Sequence, residues 1–189
     1  MKIAIVTGST REGRKSLDVA NWVKAIADQR GDASYEIVDV ASFELPVWDS
    51  PVPPAYQPSD DPKAKAWVDT MAGYDGYIFV VAEYNHSMTG ALKNALDYIG
   101  TELNNKAAGF VSYGSANGAR AVEHLRGVLS ELHVAHVRVA AGLNLFFDFK
   151  DFTTFTPSQP NEDAAKGMLD QLIVWTRAMS AVREGKFDN

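Results

Sequence analysis

A short run of apolar, mostly β-branched residues at the start of the chain, residues 2–7, constrains the fold more than any other feature. The run does not alternate with polar residues, which is typical of a strand buried on both faces of a parallel sheet. Further strands are predicted at residues 35–40, 76–82, 106–113 and 134–140, with helical spacing between them. Five strands alternating with helices predict an α/β fold, in which helices cover both faces of a parallel sheet.

Composition limits the class of protein. The 189 residues are 46% hydrophobic and 22% charged, which predicts a single globular domain over residues 1–189. A formal net charge of -6 argues against nucleic acid and acidic membranes as partners, and no apolar stretch reaches the ~18 residues of a membrane span. The chain has no cysteine, so thiol redox chemistry and thiolate metal sites are excluded. We expect a cytoplasmic protein whose partners are small molecules or protein.

The loop after the first strand has the composition of a phosphate-binding site. Gly8 permits a tight turn, and Leu17 opens a helical pattern. Between them lie hydroxyl and cationic side chains, namely Ser9, Thr10, Arg11, Arg14, Lys15 and Ser16. Loop N–H groups, the positive end of a helix dipole and guanidinium groups would converge there, which favours a bound phosphate. The alternative interpretation is a polar turn with solvated cations.

Two known phosphate loops differ from this one. The dinucleotide fingerprint requires a second glycine where Thr10 stands. The sequence differs from the nucleoside-triphosphatase loop by one inserted residue, because Arg14 separates Gly13 from Lys15. A nucleotide hydrolase therefore stays open as an alternative, although Asp39 is predicted to lie inside the second strand, away from the position of a magnesium ligand.

Two more polar loops follow strand ends, at residues 83–89 and 112–118. In parallel sheets ligands bind beyond the carboxyl ends of the strands, where these loops and the first loop meet. One ligand can therefore contact all three loops.

The sequences of these loops resemble the NADPH-dependent FMN reductases of the flavodoxin-like superfamily, which include quinone, azo-dye and chromate reductases. The family pattern is G-S-x-R with a following serine, then P-E-Y-N and L-K-N-A-x-D, then a Gly-rich loop. This chain has Gly8, Ser9, Arg11 and Ser16, then AEYNHSMTGALKNALDY at residues 82–98 and SYGSANGAR at residues 112–120. The resemblance implies a flavodoxin-like three-layer sandwich with strand order 2-1-3-4-5.

The resemblance further implies FMN as the cofactor. Ser9, Arg11 and Ser16 would hold the FMN phosphate, with Thr10 as a possible helper. The cofactor contacts implied along the flavin ring are Ala82, Glu83, Tyr84 and Asn85 on one side, and Ser112, Tyr113, Gly114 and Ser115 on the other. The backbone N–H groups of the second loop would face the polar edge of the ring. Two residues depart from the family, because Ala82 replaces its proline and Ser115 replaces the second glycine of its third loop.

The implied function is transfer of a hydride from NAD(P)H, through FMN, to a quinone-like, flavin or other aromatic acceptor. The flavin carries this chemistry, so no catalytic side chain is expected. Tyr84 and Arg120 are candidates for contact with NAD(P)H or the acceptor. Because members of the family tend to form dimers and tetramers, the resemblance also implies a homodimer or homotetramer. A flavodoxin-type electron carrier without direct NAD(P)H turnover is the main alternative.

Five phenylalanines stand close together before the last helix. They are Phe146, Phe147, Phe149, Phe152 and Phe155, in a predicted extended link. Such a cluster indicates either a dimer contact or a hydrophobic wall of the acceptor pocket. No metal site is expected, because His133 and His136 would face opposite sides of a strand.

Overall fold

The computed structural model describes residues 1–187 and contains a sheet of five parallel strands. They are β1 (Lys2–Thr7), β2 (Ser34–Asp39), β3 (Gly76–Ala82), β4 (Ala107–Gly114) and β5 (Ala135–Asn144). Their order across the sheet is β2-β1-β3-β4-β5, and each neighbouring pair is parallel. The predicted flavodoxin-like fold and strand order are confirmed.

Helices cover both faces of this sheet. They are α1 (Ser16–Asp28), α2 (Pro62–Ala72), α3 (Gly90–Asp97), α4 (Ala119–Glu131) and α5 (Gln159–Arg183). Helices α1 and α5 bury one face of β1, β3 and β4 around Ile5 and Ile78, whereas the other three helices bury the opposite face around Trp67 and Phe79. Because both faces are covered, β3 and β4 are buried along their whole length. Among residues 1–187 no helix is apolar enough over a sufficient length to cross a membrane.

Caps define where two of these helices begin. Asp61 accepts hydrogen bonds from the backbone N–H groups of Lys63 and Ala64, and Pro62 occupies the first turn of α2. Thr89 caps α3 through the N–H of Leu92. Helix α3 ends at Asp97, because the N–H groups of Tyr98 and Ile99 bond three residues back rather than four.

The proline-rich segment between β2 and α2 contains a short 3₁₀ helix, Val40–Phe43. The ring of Phe43 packs against Trp67 at 5.2 Å, and the ring of Trp48 packs against Tyr98 at 5.0 Å. Tyr56 is 84% exposed. The segment is therefore a wrapped surface loop whose first two aromatic residues fasten it to the domain.

The segment between β5 and α5 is more ordered than the predicted extended link. Strand β5 continues to Asn144, and a short antiparallel hairpin follows, made of β6 (Phe149–Lys150) and β7 (Thr154–Phe155). The buried carboxylate of Asp148 organises the hairpin, since it accepts hydrogen bonds from the backbone of Asn144 and Ser158. As a result Phe149 is buried and Phe155 half-buried, whereas Phe146, Phe147 and Phe152 are exposed.

Candidate functional site

The first loop leaves β1 at Gly8 and passes directly over the start of α3. A Cβ atom at Gly8 would lie 2.7 Å from Leu92 Cβ, so a side chain would force the loop away from the helix. The Thr89 hydroxyl donates a hydrogen bond to the Gly8 carbonyl. The first and second loops are therefore joined at their base.

The amino terminus of α1 is open to an anion. No side chain caps this helix, and the backbone N–H groups of residues 15–18 donate no hydrogen bond within residues 1–187. The Ser16 hydroxyl, in the first turn, is buried and lacks a partner in the same part of the chain. Arg11 and Lys15 line the adjacent cavity. Unsatisfied donors, a helix dipole and two cations together match the chemistry of a phosphate group.

Arg14 connects the first loop to the end of β2. Its guanidinium bonds to the Asp39 carboxylate at 2.5 Å and to the Ser9 carbonyl at 3.1 Å, and Thr7 also donates to Asp39 at 2.8 Å. Asp39 lies in β2 as expected, but it is the last residue of the strand, so its side chain stands at the carboxyl edge of the sheet. The carboxylate is used to hold Arg14, which leaves Arg11 and Lys15 as the cations beside the cavity.

The second loop makes a tight reversal immediately after Ala82, the buried last residue of β3. The N–H of Tyr84 bonds to the Ser87 carbonyl at 2.9 Å, and the N–H of Ser87 bonds back to Tyr84 at 3.0 Å. Between them Asn85 and His86 both have positive φ, 48° and 74°, as a type I′ turn requires. Such backbone angles cost energy outside glycine and are concentrated at functional sites.

Hydrogen bonds within the protein already use some of the N–H groups expected to face the flavin. The N–H of Glu83 donates to the Tyr113 carbonyl, and that of Tyr84 donates within the turn. The N–H of Asn85 makes no hydrogen bond inside the described range, residues 1–187. Among these three donors Asn85 is the one left for a ligand.

Tyr84 joins the second loop to the first. Its hydroxyl shares a hydrogen bond of 2.8 Å with Ser9 Oγ, and the Arg11 guanidinium lies 5.4 Å from the centre of its ring. A cation over a tyrosine face is attracted by the ring electrons. Tyr84 therefore contacts both of the predicted first-loop residues, Ser9 and Arg11.

The third loop places Tyr113 and Ser112 on opposite faces of β4. The Tyr113 ring lies 6.0 Å from Phe149, and its buried hydroxyl lacks a hydrogen-bond partner within residues 1–187. Burial raises the pKa of this phenol, so it remains a neutral donor. Ser112 instead donates to the Asn117 carbonyl at 2.7 Å, and it supports the loop from the α4 side.

The structure places the remaining predicted contacts, Gly114, Ser115 and Thr10, at different distances from the centre of the site. Gly114 allows the third loop to pass the second, since a Cβ there would lie 2.9 Å from Glu83 Cβ. Ser115 is exposed on the loop, and Thr10 lines a separate cavity of about 300 Å³ with Ala91 and Asn94. Thus Thr10, Ser112 and Ser115 do not line the central cavity.

The central cavity has a volume of about 150 Å³ and is enclosed by all three loops. Its lining residues are Arg11, Lys15, Glu83, Tyr84, Tyr113 and Leu145. Leu145 was missed by the sequence analysis, although its position directly after a strand of the same sheet could have indicated it. Its lining is cationic at the α1 end, and two tyrosines, Leu145 and Glu83 form the rest. The cations suit a phosphate group, and the tyrosines suit a flat ring.

Glu83 and Arg120 form an ion pair at the edge of this cavity. The Glu83 side chain is 3% exposed, and its carboxylate accepts from the Arg120 side chain and from the Arg120 backbone N–H at 3.1 Å. Burial raises the pKa of Glu83, but the bonds from Arg120 outweigh it and hold the pKa below its usual value. Arg120 is therefore not a free cation.

Comparison with known proteins identifies relatives along most of the chain. The family model described as NADPH-dependent FMN reductase matches residues 1–148. The NAD(P)H-dependent FMN reductase ntnL of Nectria sp is 37% identical over 163 residues, which cover 79% of this chain and 81% of that protein. The 2-hydroxy-1,4-benzoquinone reductase of Burkholderia sp is 33% identical, with 71% of this chain and 73% of that protein covered.

A solved structure of similar shape is FerB, the flavoenzyme NAD(P)H:(acceptor) oxidoreductase of Paracoccus denitrificans. It superposes with a TM-score of 0.72 over 94% of this chain and 98% of that chain, at 17% sequence identity. At this identity the similarity establishes the shared fold.

Proposed function

This chain belongs to the NADPH-dependent FMN reductase family, and we propose that it binds FMN at the three loops and uses it to reduce a quinone-like or other aromatic acceptor with NAD(P)H. Bound FMN supplies the ring that accepts a hydride and gives it up again, so the side chains need only bind, orient and exclude water. The observation that carries the proposal is the uncapped end of α1 with the unpaired Ser16 hydroxyl beside it.

The phosphate of FMN is assigned to the α1 end of the cavity. Ser16 and the first N–H groups of α1 are donors without partners in the described chain, and a phosphate accepts several hydrogen bonds at once. Arg11 and Lys15 supply positive charge. Ser9 can donate as well, because its hydroxyl can exchange the bond to Tyr84 for one to phosphate.

The flavin ring is assigned to the aromatic part of the cavity. Tyr84 and Tyr113 line it, and flat side chains pack well against a flat heterocycle. The Asn85 N–H is the donor available to the ring's polar atoms, whereas the Tyr113 hydroxyl lies close to the Ser9 and Ser16 hydroxyls at the phosphate end. Gly114 would border the ring on the third loop, whereas Ser115, which is exposed outside the cavity, would contact only a part of the ring that extends beyond it.

The acceptor is proposed to be quinone-like because of both the relatives and the cavity. Two of the relatives are named 2-hydroxy-1,4-benzoquinone reductase and NAD(P)H:quinone oxidoreductase. Leu145 on the cavity wall and the exposed Phe146 next to it offer an apolar approach for an aromatic molecule. Tyr84 is the proposed contact of the acceptor or nicotinamide, whereas Arg120 can serve NAD(P)H only with the part of its side chain that Glu83 does not hold.

We also propose a cytoplasmic location, where cells supply NAD(P)H, and a homodimer or homotetramer. Phe146 and Phe147 precede the hairpin and Phe152 lies in its turn. Three exposed phenylalanines so close together support a subunit contact, because such a group is unusual on a monomer's surface. Light scattering on the purified full chain would test the subunit number, and a monomer would contradict this part.

The activity is tested with protein that has been mixed with FMN, desalted and made anaerobic. Flavin absorption bands should remain with the protein, bleach on addition of NADPH or NADH, and return when a benzoquinone is added. Bands that remain but do not bleach with either nicotinamide would contradict the reductase and favour an electron carrier.

A further inference from the structure

The two helices that begin at the site, α1 and α4, have differently occupied amino termini. The end of α1 has no cap, as described above. Helix α4 begins after Gly118, which has no side chain to cap it, and the Glu83 carboxylate of the second loop takes that place. One helix end is therefore left for a ligand, and the other is filled by a charge belonging to the protein.

We propose that Glu83 is a positioning residue, which holds the third loop and the start of α4 in place beside the flavin ring and keeps α4 closed to phosphate. The identity of the ligand in this inference rests on the proposed function. The role differs from the flavin contact implied by the family resemblance, because the carboxylate acts on other parts of the protein.

The geometry of Glu83 supports this role at three points. Its N–H donates to the Tyr113 carbonyl at 3.0 Å, which extends the pairing of β3 with β4. Its Cβ lies where a side chain on Gly114 would have to pass. Its carboxylate reaches the backbone and side chain of Arg120. Glu83 therefore contacts the third loop at its beginning and the helix that follows the loop.

Apart from Glu83, the third loop is held by bonds within its own turn and by bonds to Asn144 and Leu145 at the end of β5. Asn117 closes the turn through its N–H to the Gly114 carbonyl, and the Ser112 hydroxyl bonds to the Asn117 carbonyl. These contacts hold the loop in its own turn and against the end of β5, but they do not connect it to the second loop. The buried Glu83 carboxylate connects the second loop to the first turn of α4, which directly follows the third loop.

The negative charge of Glu83 is the reason for proposing that the amino terminus of α4 is closed to phosphate. The first turn of α4 carries the positive end of a helix dipole and the Arg120 guanidinium, which together would attract an anion. Glu83 neutralises both from a buried position. A phosphate is therefore directed to α1, where Arg11 and Lys15 form no ion pair with any carboxylate of residues 1–187.

The first test uses amide hydrogen exchange on the flavin-free protein. Glu83→Ala should speed exchange at residues 114–121 by about tenfold, the usual effect of losing a helix cap. Glu83→Gln should show a smaller increase, because its amide oxygen still accepts from the α4 backbone. Glu123→Ala, which removes an exposed carboxylate from the same helix, is the control and should leave exchange unchanged. Wild-type exchange rates in Glu83→Ala would overturn the proposal.

The second test compares two ligands, FMN and riboflavin, which differ by the phosphate. Since the third loop borders the ring, Glu83→Ala should weaken both by the same factor, whereas Arg11→Ala should weaken FMN alone. Weakening of FMN but not riboflavin in Glu83→Ala would show that Glu83 acts on the phosphate and would overturn the inference. If the wild type bound neither flavin, the proposed function would fail, while hydrogen exchange would still decide the role of Glu83.

Discussion

Replacing Ser16 with alanine should change stability and FMN binding in opposite directions. In the flavin-free protein the Ser16 hydroxyl is buried in the first turn of α1 with no hydrogen-bond partner in residues 1–187. Its removal therefore breaks no bond there. With FMN bound, the same hydroxyl would donate to the phosphate, and its removal would break a bond to a charged group.

The magnitudes of the two effects can be worked from the burial of this hydroxyl. A buried polar group without a partner costs about 1–3 kcal/mol, and alanine is also the better helix former. Ser16→Ala should thus stabilise the flavin-free protein by about 1 kcal/mol, which is about 2–4 °C in Tm for a chain of this size. A hydrogen bond to a charged group contributes about 1.5–3 kcal/mol, so the Kd for FMN should rise about ten- to hundredfold.

Thermal unfolding of the flavin-free protein and fluorescence titration with FMN measure these two effects. Ser130→Ala, at an exposed serine of α4, is the control and should alter neither quantity by much. A lower Tm in Ser16→Ala would show that the hydroxyl has a partner in the protein. An unchanged Kd would remove Ser16 from the phosphate site and refute the reasoning.

Three further predictions concern the first loop, the third loop and the far end of the sheet. Arg11→Ala should raise the Kd for FMN about tenfold or more in a titration while leaving Tm of the flavin-free protein nearly unchanged, because the side chain is exposed. Gly118→Ala should destabilise the protein by about 3 kcal/mol in denaturant unfolding, because φ is +71° and the new Cβ would lie 2.5 Å from Ser112 Cβ; Gly127→Ala, where Cβ meets nothing within 4 Å, should not. Lys106→Met should abolish a rise in unfolding free energy of about 2 kcal/mol between pH 8 and 10. Burial lowers the pKa of Lys106 to about 8 from 10.5, so in this window the unfolded chain binds more protons than the folded one and stability increases with pH.

A specific result would contradict each of these three predictions. Equal FMN affinity in Arg11→Ala would remove that cation from the site. A fully stable Gly118→Ala would show that the third loop can move away from Ser112. A pH profile of Lys106→Met identical to that of the wild type would show that other groups produce the rise.

Residues 2–7 and the later apolar runs predicted the sheet correctly because a strand buried on both faces leaves an unbroken run of apolar residues. The loops that form the site were also predictable, since each directly follows such a run. Asp61 and Pro62 marked the start of α2 because capping depends on neighbours in sequence. Features that depend on neighbouring residues could therefore be predicted from the sequence.

Contacts between distant segments could not be predicted from the sequence. The bond between Arg14 and Asp39 depends on β2 ending one residue earlier than predicted, which brings the carboxylate to the sheet edge. The pairing of Glu83 with Arg120 depends on the angle at which α4 leaves β4, and no local pattern encodes that angle. The separation of Phe149 from its exposed neighbours likewise depends on the hairpin that Asp148 organises.

The central claim is that the end of α1, with Arg11, Lys15 and Ser16, holds the phosphate of a flavin nucleotide. Titration of the wild-type protein with FMN and riboflavin under the same conditions tests it most directly, because the two ligands share the ring and differ in the phosphate. FMN should bind about a hundredfold more tightly than riboflavin, and inorganic phosphate should compete with FMN alone. Equal affinities, with no effect of phosphate, would contradict it.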